Sequence, residues 1–135
     1  MRTLIGIVAM VLSVTAAGAA APGADPAPKK RDGITYVSGG VGLESRAAME
    51  AMAKDYNVKL VFALESGEYV AGVRVDIRGA SGAKLLEDVA DGPWFMARLP
   101  AGEYTIGATY AGKTQSRKAS VKATGRQALH FRWPK

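Results

Sequence analysis

A chain of 135 residues with no cysteine and a single histidine is long enough for one domain with a sizeable core. It excludes a disulfide framework, a lipid-modified cysteine and a zinc site of the usual composition. The 18 Lys and Arg exceed the 12 Asp and Glu only mildly, so where the charges lie matters more than their sum.

Met1-Arg2 supplies a short positive end, Leu4 to Leu12 an apolar stretch, and Ala17-Gly18-Ala19 the small residues read by a signal peptidase. That stretch is too short for the roughly 20 residues of a spanning helix. The expectation is a signal peptide over residues 1–19, cleaved at Ala19 or a residue or two later. A periplasmic or secreted protein with no membrane span and no nucleic-acid partner follows from it. Residues 20–32 are rich in Pro, Ala and charge and have no apolar period, which predicts a flexible spacer with Lys29-Lys30-Arg31 solvated.

Residues 33–135 read as one folded domain. Ile34-Thr35-Tyr36-Val37 is a short strand, and the glycines from Gly39 to Gly42 break it. Residues 43–56 then predict the domain's one helix, because Met49, Met52, Ala53 and Tyr56 share a face; Asn57 is its stop.

Strands and turns follow. Residues 58–64, 73–78, 84–89, 94–99, 103–110, 113–122 and 126–133 are seven β-prone runs, separated by Gly-, Pro- and Asp-bearing turns every 9 to 13 residues. The predicted class is mainly β, a seven-stranded antiparallel β-sandwich with one N-terminal helix. Tyr104, Ile106, Ala108 and Tyr110 share one parity, as do Leu129, Phe131 and Trp133, and both sets are assigned to the core. The run from Lys113 to Lys122 is polar on both faces and suits an edge strand.

Catalytic constellations are weak. Gly39-Gly40-Val41-Gly42 before a helix imitates a dinucleotide-binding turn, but Ser45 stands where the third glycine of that fingerprint belongs. Gly79-Ala80-Ser81-Gly82 lies between two strands, whereas a nucleophile elbow joins a strand to a helix. Glu87 and Asp88 are strand neighbours and point to opposite faces, and His130 falls on the wet side of the last strand. No enzyme, cofactor or metal is expected. The candidate partner or ligand surface is Trp94, at a strand start where an exposed indole could stack on a sugar. The cations Lys113, Arg117, Lys118, Lys122 and Arg132 join it, on a C-terminal part that carries no acid after Tyr110.

Leu99-Pro100-Ala101-Gly102-Glu103-Tyr104-Thr105-Ile106, followed by Ala111-Gly112, resembles the carboxypeptidase regulatory-like domains. Val73 to Arg78 with Lys84-Leu85-Leu86 resembles that family's earlier hairpin. From Tyr36 to Trp133 the chain is similar to small exported proteobacterial proteins of this class. The resemblance implies a transthyretin-like, or prealbumin-like, β-sandwich and a non-catalytic role. Phe131-Arg132-Trp133-Pro134 departs from the Tyr-Arg-Gly-Ser tail of the related hydroxyisourate hydrolases. The lone Asn57 departs from the late Asn of isopeptide-linked sandwiches. The expected function is an extracytoplasmic interaction module that binds or supports another envelope protein; the alternative is a module for a glycan or anionic polymer.

Overall fold

The computed structural model describes residues 26–134. The signal peptide expected over 1–19 and the start of the spacer lie outside the described residues. Among the described residues the fold is mainly β, with nine strands in two sheets and one α-helix. Five strands pair in the order β1 (Lys29–Arg31), β2 (Ile34–Gly39), β6 (Trp94–Arg98), β3 (Val58–Leu64), β9 (Gln127–Trp133). The other four pair in the order β5 (Lys84–Val89), β4 (Arg74–Gly79), β7 (Gly102–Tyr110), β8 (Lys113–Val121).

Nine strands are paired where a seven-stranded sandwich is expected, because β1 and β2 add to the edge of one sheet, and two further differences follow from pairing. The strands are not all antiparallel, because β9 crosses from the neighbourhood of β8 to lie parallel to β3, Phe62 opposite Phe131 and Leu64 opposite Trp133. The end of the predicted spacer is also not loose. Lys29–Arg31 pairs antiparallel with β2 through a two-residue turn, Asp32-Gly33, with φ of 52° and 81°. Positive φ at both central residues gives a turn whose twist matches that of the flanking strands, and Asp-Gly is among the pairs that adopt it most readily. The β7–β8 hairpin uses the same geometry at Ala111-Gly112, with φ of 52° and 80°.

The main core lies between the sheets. Leu60, Phe62, Phe95, Phe131 and Trp133 from one sheet meet Val75, Ile77, Leu86, Ile106 and Ala108 from the other. Both parity sets hold: Tyr104, Ile106, Ala108, Phe131 and Trp133 are buried, and Tyr110 and Leu129 pack against the cluster. The Leu-Pro-x-Gly-x-Tyr element fixes one corner, since Leu99 is buried and the Tyr104 hydroxyl donates to the Pro100 carbonyl at 2.6 Å.

A second, smaller core forms on the outer face of the five-stranded sheet. Helix α1 (Gly42–Met52) runs into a 3-10 turn, Ala53–Asp55, shorter in regular α-helix than the predicted 43–56. Its Met49 and the following Tyr56 are buried against Val37, Val61, Trp94 and Met96, with Met52 and Ala53 packed alongside. The apolar face read from the sequence is therefore the face that seats the helix on the sheet.

Side chains close both flanks of the sheet pair. On one flank, Arg31 donates to the Glu87 carbonyl at 2.9 Å and Tyr36 to the Asp88 carboxylate at 2.6 Å, tying β1 and β2 to β5. On the other, Trp133 Nε1 donates to the Lys113 carbonyl at 3.0 Å and Gln127 to the Ser120 carbonyl at 2.8 Å; Gln115 donates to the Arg132 carbonyl. β8 is an edge strand, as its two polar faces predicted. These bonds occupy edge carbonyls that would otherwise be free to template another chain.

Candidate functional site

Trp94, the sequence's candidate for stacking on a ligand, is only 7% exposed and belongs to the helix-side core. Its position at a strand start suggested exposure, but the helix covers that face of the sheet. The Lys59 ammonium sits 3.6 Å from the centroid of its rings, a cation–π contact. The indole presents no open face of the kind a sugar would need.

Nor do the five candidate cations form one cluster. Lys113 begins β8, Lys118 lies within it and Lys122 lies just past its end. A nine-residue strand is roughly 30 Å long, so the first and last of these occupy opposite ends of the domain. Arg117 folds over the Phe131 ring, 5.2 Å from guanidinium to centroid, and Arg132 is exposed on β9.

Asn57, expected only to end the helix, instead joins the ends of three segments. Its side-chain amide donates to the Leu99 carbonyl at 2.8 Å, and its side-chain oxygen accepts from the Leu99 amide at 2.9 Å. Its main chain donates to Ala97 and accepts from Gln127. The start of β3 is thereby locked to the end of β6 and the start of β9.

Four hollows meet around Asn57. One, about 360 Å³, is lined by Lys30, Arg98 and Lys122 with Pro100. A second, about 330 Å³, is lined by Lys54, Arg98 and Arg126, and a third, about 270 Å³, by Lys122, Thr124 and Arg126. The fourth, about 250 Å³, is apolar: Ala53, Tyr56, Met96 and Ala128 line it together with Lys59 and Arg126. None of the four is lined by Asp or Glu. Among the described residues, the ion pairs are Lys29–Asp88, Arg74–Glu87, Arg78–Asp76 and Lys84–Glu87, so the cations at these hollows are free of acidic partners. Arg98 donates once, to the Asp55 carbonyl at 3.4 Å, which leaves most of its guanidinium donors open.

Of the sequence-derived candidates only Lys122 lies here. Arg126 shares the turn between β8 and β9 with it, whereas Lys30, Lys54 and Arg98 come from separate elements and nothing local in the sequence marks them as neighbours. At the opposite end of the domain, the Gly-rich turn serves packing. The Gly40 amide donates inward to the buried Ser45 hydroxyl at 2.8 Å, and Gly40 lies against Trp94. His130 is exposed, and no metal-holding group of three or more His, Cys, Asp or Glu occurs among the described residues. Tyr36 and Asp88 perturb each other. Burial, with the hydrogen bond to Asp88 next, pushes the Tyr36 phenol up to about 12. Burial raises the Asp88 carboxyl, but the Tyr36 and Val89 hydrogen bonds and Lys29 outweigh it and hold the group below its ordinary value. The pair is a brace between sheets, with the Lys29 ammonium 3.5 Å from the same carboxylate.

Compared with models of known protein families and with curated proteins, the chain matches none.

Proposed function

We propose that the chain is an exported, non-catalytic interaction module of the carboxypeptidase regulatory-like kind, which binds or supports another envelope protein. In this reading β3 to β9 are a seven-stranded transthyretin-like sandwich, three strands against four, and β1, β2 and α1 are an N-terminal addition to it. Export rests on the leader pattern, and the family on the Leu99 to Ile106 element.

The observation that carries the partner reading is an apolar group on the far end of the domain from Asn57. Leu43 is 78% exposed in the first turn of α1, and Val41 just before it is 46% exposed. Tyr69, 49% exposed, is held near them because Arg46 stacks over its ring at 5.6 Å while donating to the Gly40 carbonyl at 3.0 Å. Tyr and Arg are the residue types enriched at interface hot spots, and Leu43 and Val41 add exposed apolar area to them.

Photo-cross-linking residues placed at Leu43 and Tyr69, with Ser116 on β8 as the control site, test this in envelope preparations. The expected result is one discrete adduct shared by the two sites, absent at Ser116 and abolished by Val41→Asp. Equal labelling at all three sites, or none at any, overturns the partner reading.

A further inference from the structure

We propose that the end of the domain around Asn57 is a binding site for an acidic polysaccharide, a chain of sugars carrying carboxylates along its length. The site stands apart from the apolar group at Leu43, so either can fail without the other.

Three properties of the four hollows combine to this ligand. First, their charge is of one sign. Lys30, Lys54, Arg98, Lys122 and Arg126 line them with no carboxylate among the lining residues and no ion pair of their own. Elsewhere on the domain Lys29, Arg74, Arg78 and Lys84 are paired with acids. Neighbouring cations left without counter-charges raise the local potential and attract anions. Arg98 and Arg126 also offer planar forks that meet a carboxylate through two parallel hydrogen bonds.

Second, the hollows are contiguous. Asn57 belongs to all four, Arg98 and Lys122 to two each, and Arg126 to three. A run of joined depressions suits an extended chain with repeated charges better than a single compact ion.

Third, the apolar hollow adjoins the cationic ones through Arg126. A sugar ring presents a C–H face as well as polar edges, and the half-buried Ala53, the exposed Ala128 and the aliphatic stem of Lys59 supply a surface for that face, beside the largely buried Tyr56 and Met96. Polyphosphate has no such face, and the apolar chains of a phospholipid are sequestered in the bilayer, away from its phosphate. The combination therefore favours a carboxylated glycan over other anions.

Calorimetric titration of the full chain with oligogalacturonates of increasing length tests the site, with polyphosphate and phosphatidylglycerol vesicles as the other arms. Expected are affinity that grows with oligogalacturonate length, falls with added salt, and drops roughly tenfold in each of two double variants, Lys30→Gln with Arg98→Gln and Lys122→Gln with Arg126→Gln. Arg74→Gln with Lys113→Gln, distant from Asn57, should change it less than about twofold. Ala128→Leu, which fills the apolar hollow, should weaken oligogalacturonate binding and leave any polyphosphate binding unchanged. Circular dichroism of each variant separates lost binding from lost fold. No oligogalacturonate binding, binding insensitive to both Asn57-end variants, or binding confined to polyphosphate or vesicles overturns the proposal.

Discussion

The Tyr36 hydroxyl on β2 and the Asp88 carboxylate on β5 are 2.6 Å apart, and their hydrogen bond joins the two sheets across one flank. Lys29 reaches the same carboxylate at 3.5 Å from β1. Removing the phenol leaves Asp88 partly buried with a weaker set of donors. Tyr36→Phe should lower stability by about 1 to 3 kcal/mol, read from urea midpoints at neutral pH, because a charged acceptor is deprived of its shortest partner.

That pair also sets pH limits. Asp88 is held below its ordinary value, so it contributes stability that is present above its unfolded pKa and lost as pH falls through the lowered folded value. Tyr36 is raised to about 12, so its contribution is complete below the unfolded value near 10 and is lost as pH climbs from there toward 12. Urea midpoints against pH should therefore decline on both sides, below about 4 and above about 10. Asp88→Asn should flatten the acid limb and Tyr36→Phe the alkaline one. Unchanged limbs in these variants would assign the decline to other groups.

Asn57→Ala should cost about 2 to 4 kcal/mol, since it removes two hydrogen bonds to Leu99 and leaves that residue's main-chain groups without partners in a part-buried place. Asn57→Asp keeps the acceptor and loses the donor, and should fall between the parent and the alanine variant. Thermal midpoints of the three proteins give the order.

Gly92 lies against Gly39 so closely that a Cβ would land on the Gly39 carbonyl, in backbone that β2 and β6 hold in place. Gly92→Ala should destabilise by about 1 to 3 kcal/mol, the range of overpacked interiors. Gly79→Ala meets only the Leu85 side chain at 3.5 Å and should be nearly neutral. Equal costs at the two positions would contradict the contact.

Ala111 carries a φ of 52°, a region that a Cβ disfavours by roughly 1 to 2 kcal/mol. Asn tolerates it, and Asn-Gly is the pair this turn prefers. Ala111→Asn should raise the urea midpoint by an amount corresponding to about 1 kcal/mol, with no change in slope.

What the sequence made legible was whatever is carried by neighbours along the chain. The alternation of Tyr104, Ile106 and Ala108, and the helical spacing of Met49, Met52, Ala53 and Tyr56, both report a face, and both faces are buried. Asp32-Gly33 was a readable hairpin signal, hidden because the residues before it were assigned to a spacer on composition. Trp94 was misjudged because its exposure depends on where a helix fifty residues earlier comes to rest. The gathering of Lys30, Lys54, Arg98, Lys122 and Arg126 depends on four separate segments meeting at one end, Lys122 and Arg126 sharing the turn between β8 and β9. Periodicity cannot report that, because no window of sequence contains it.

The parallel pairing of β3 with β9 joins segments about seventy residues apart. A ribosome delivers Phe62 and Leu64 long before their cross-strand neighbours Phe131 and Trp133. Until then the oily side of β3 has no lid on that flank, and the nascent domain can at most be partly assembled. Maturation of this sheet consequently waits for β9, and any helper that shields apolar surface must stay with the chain until that strand is available.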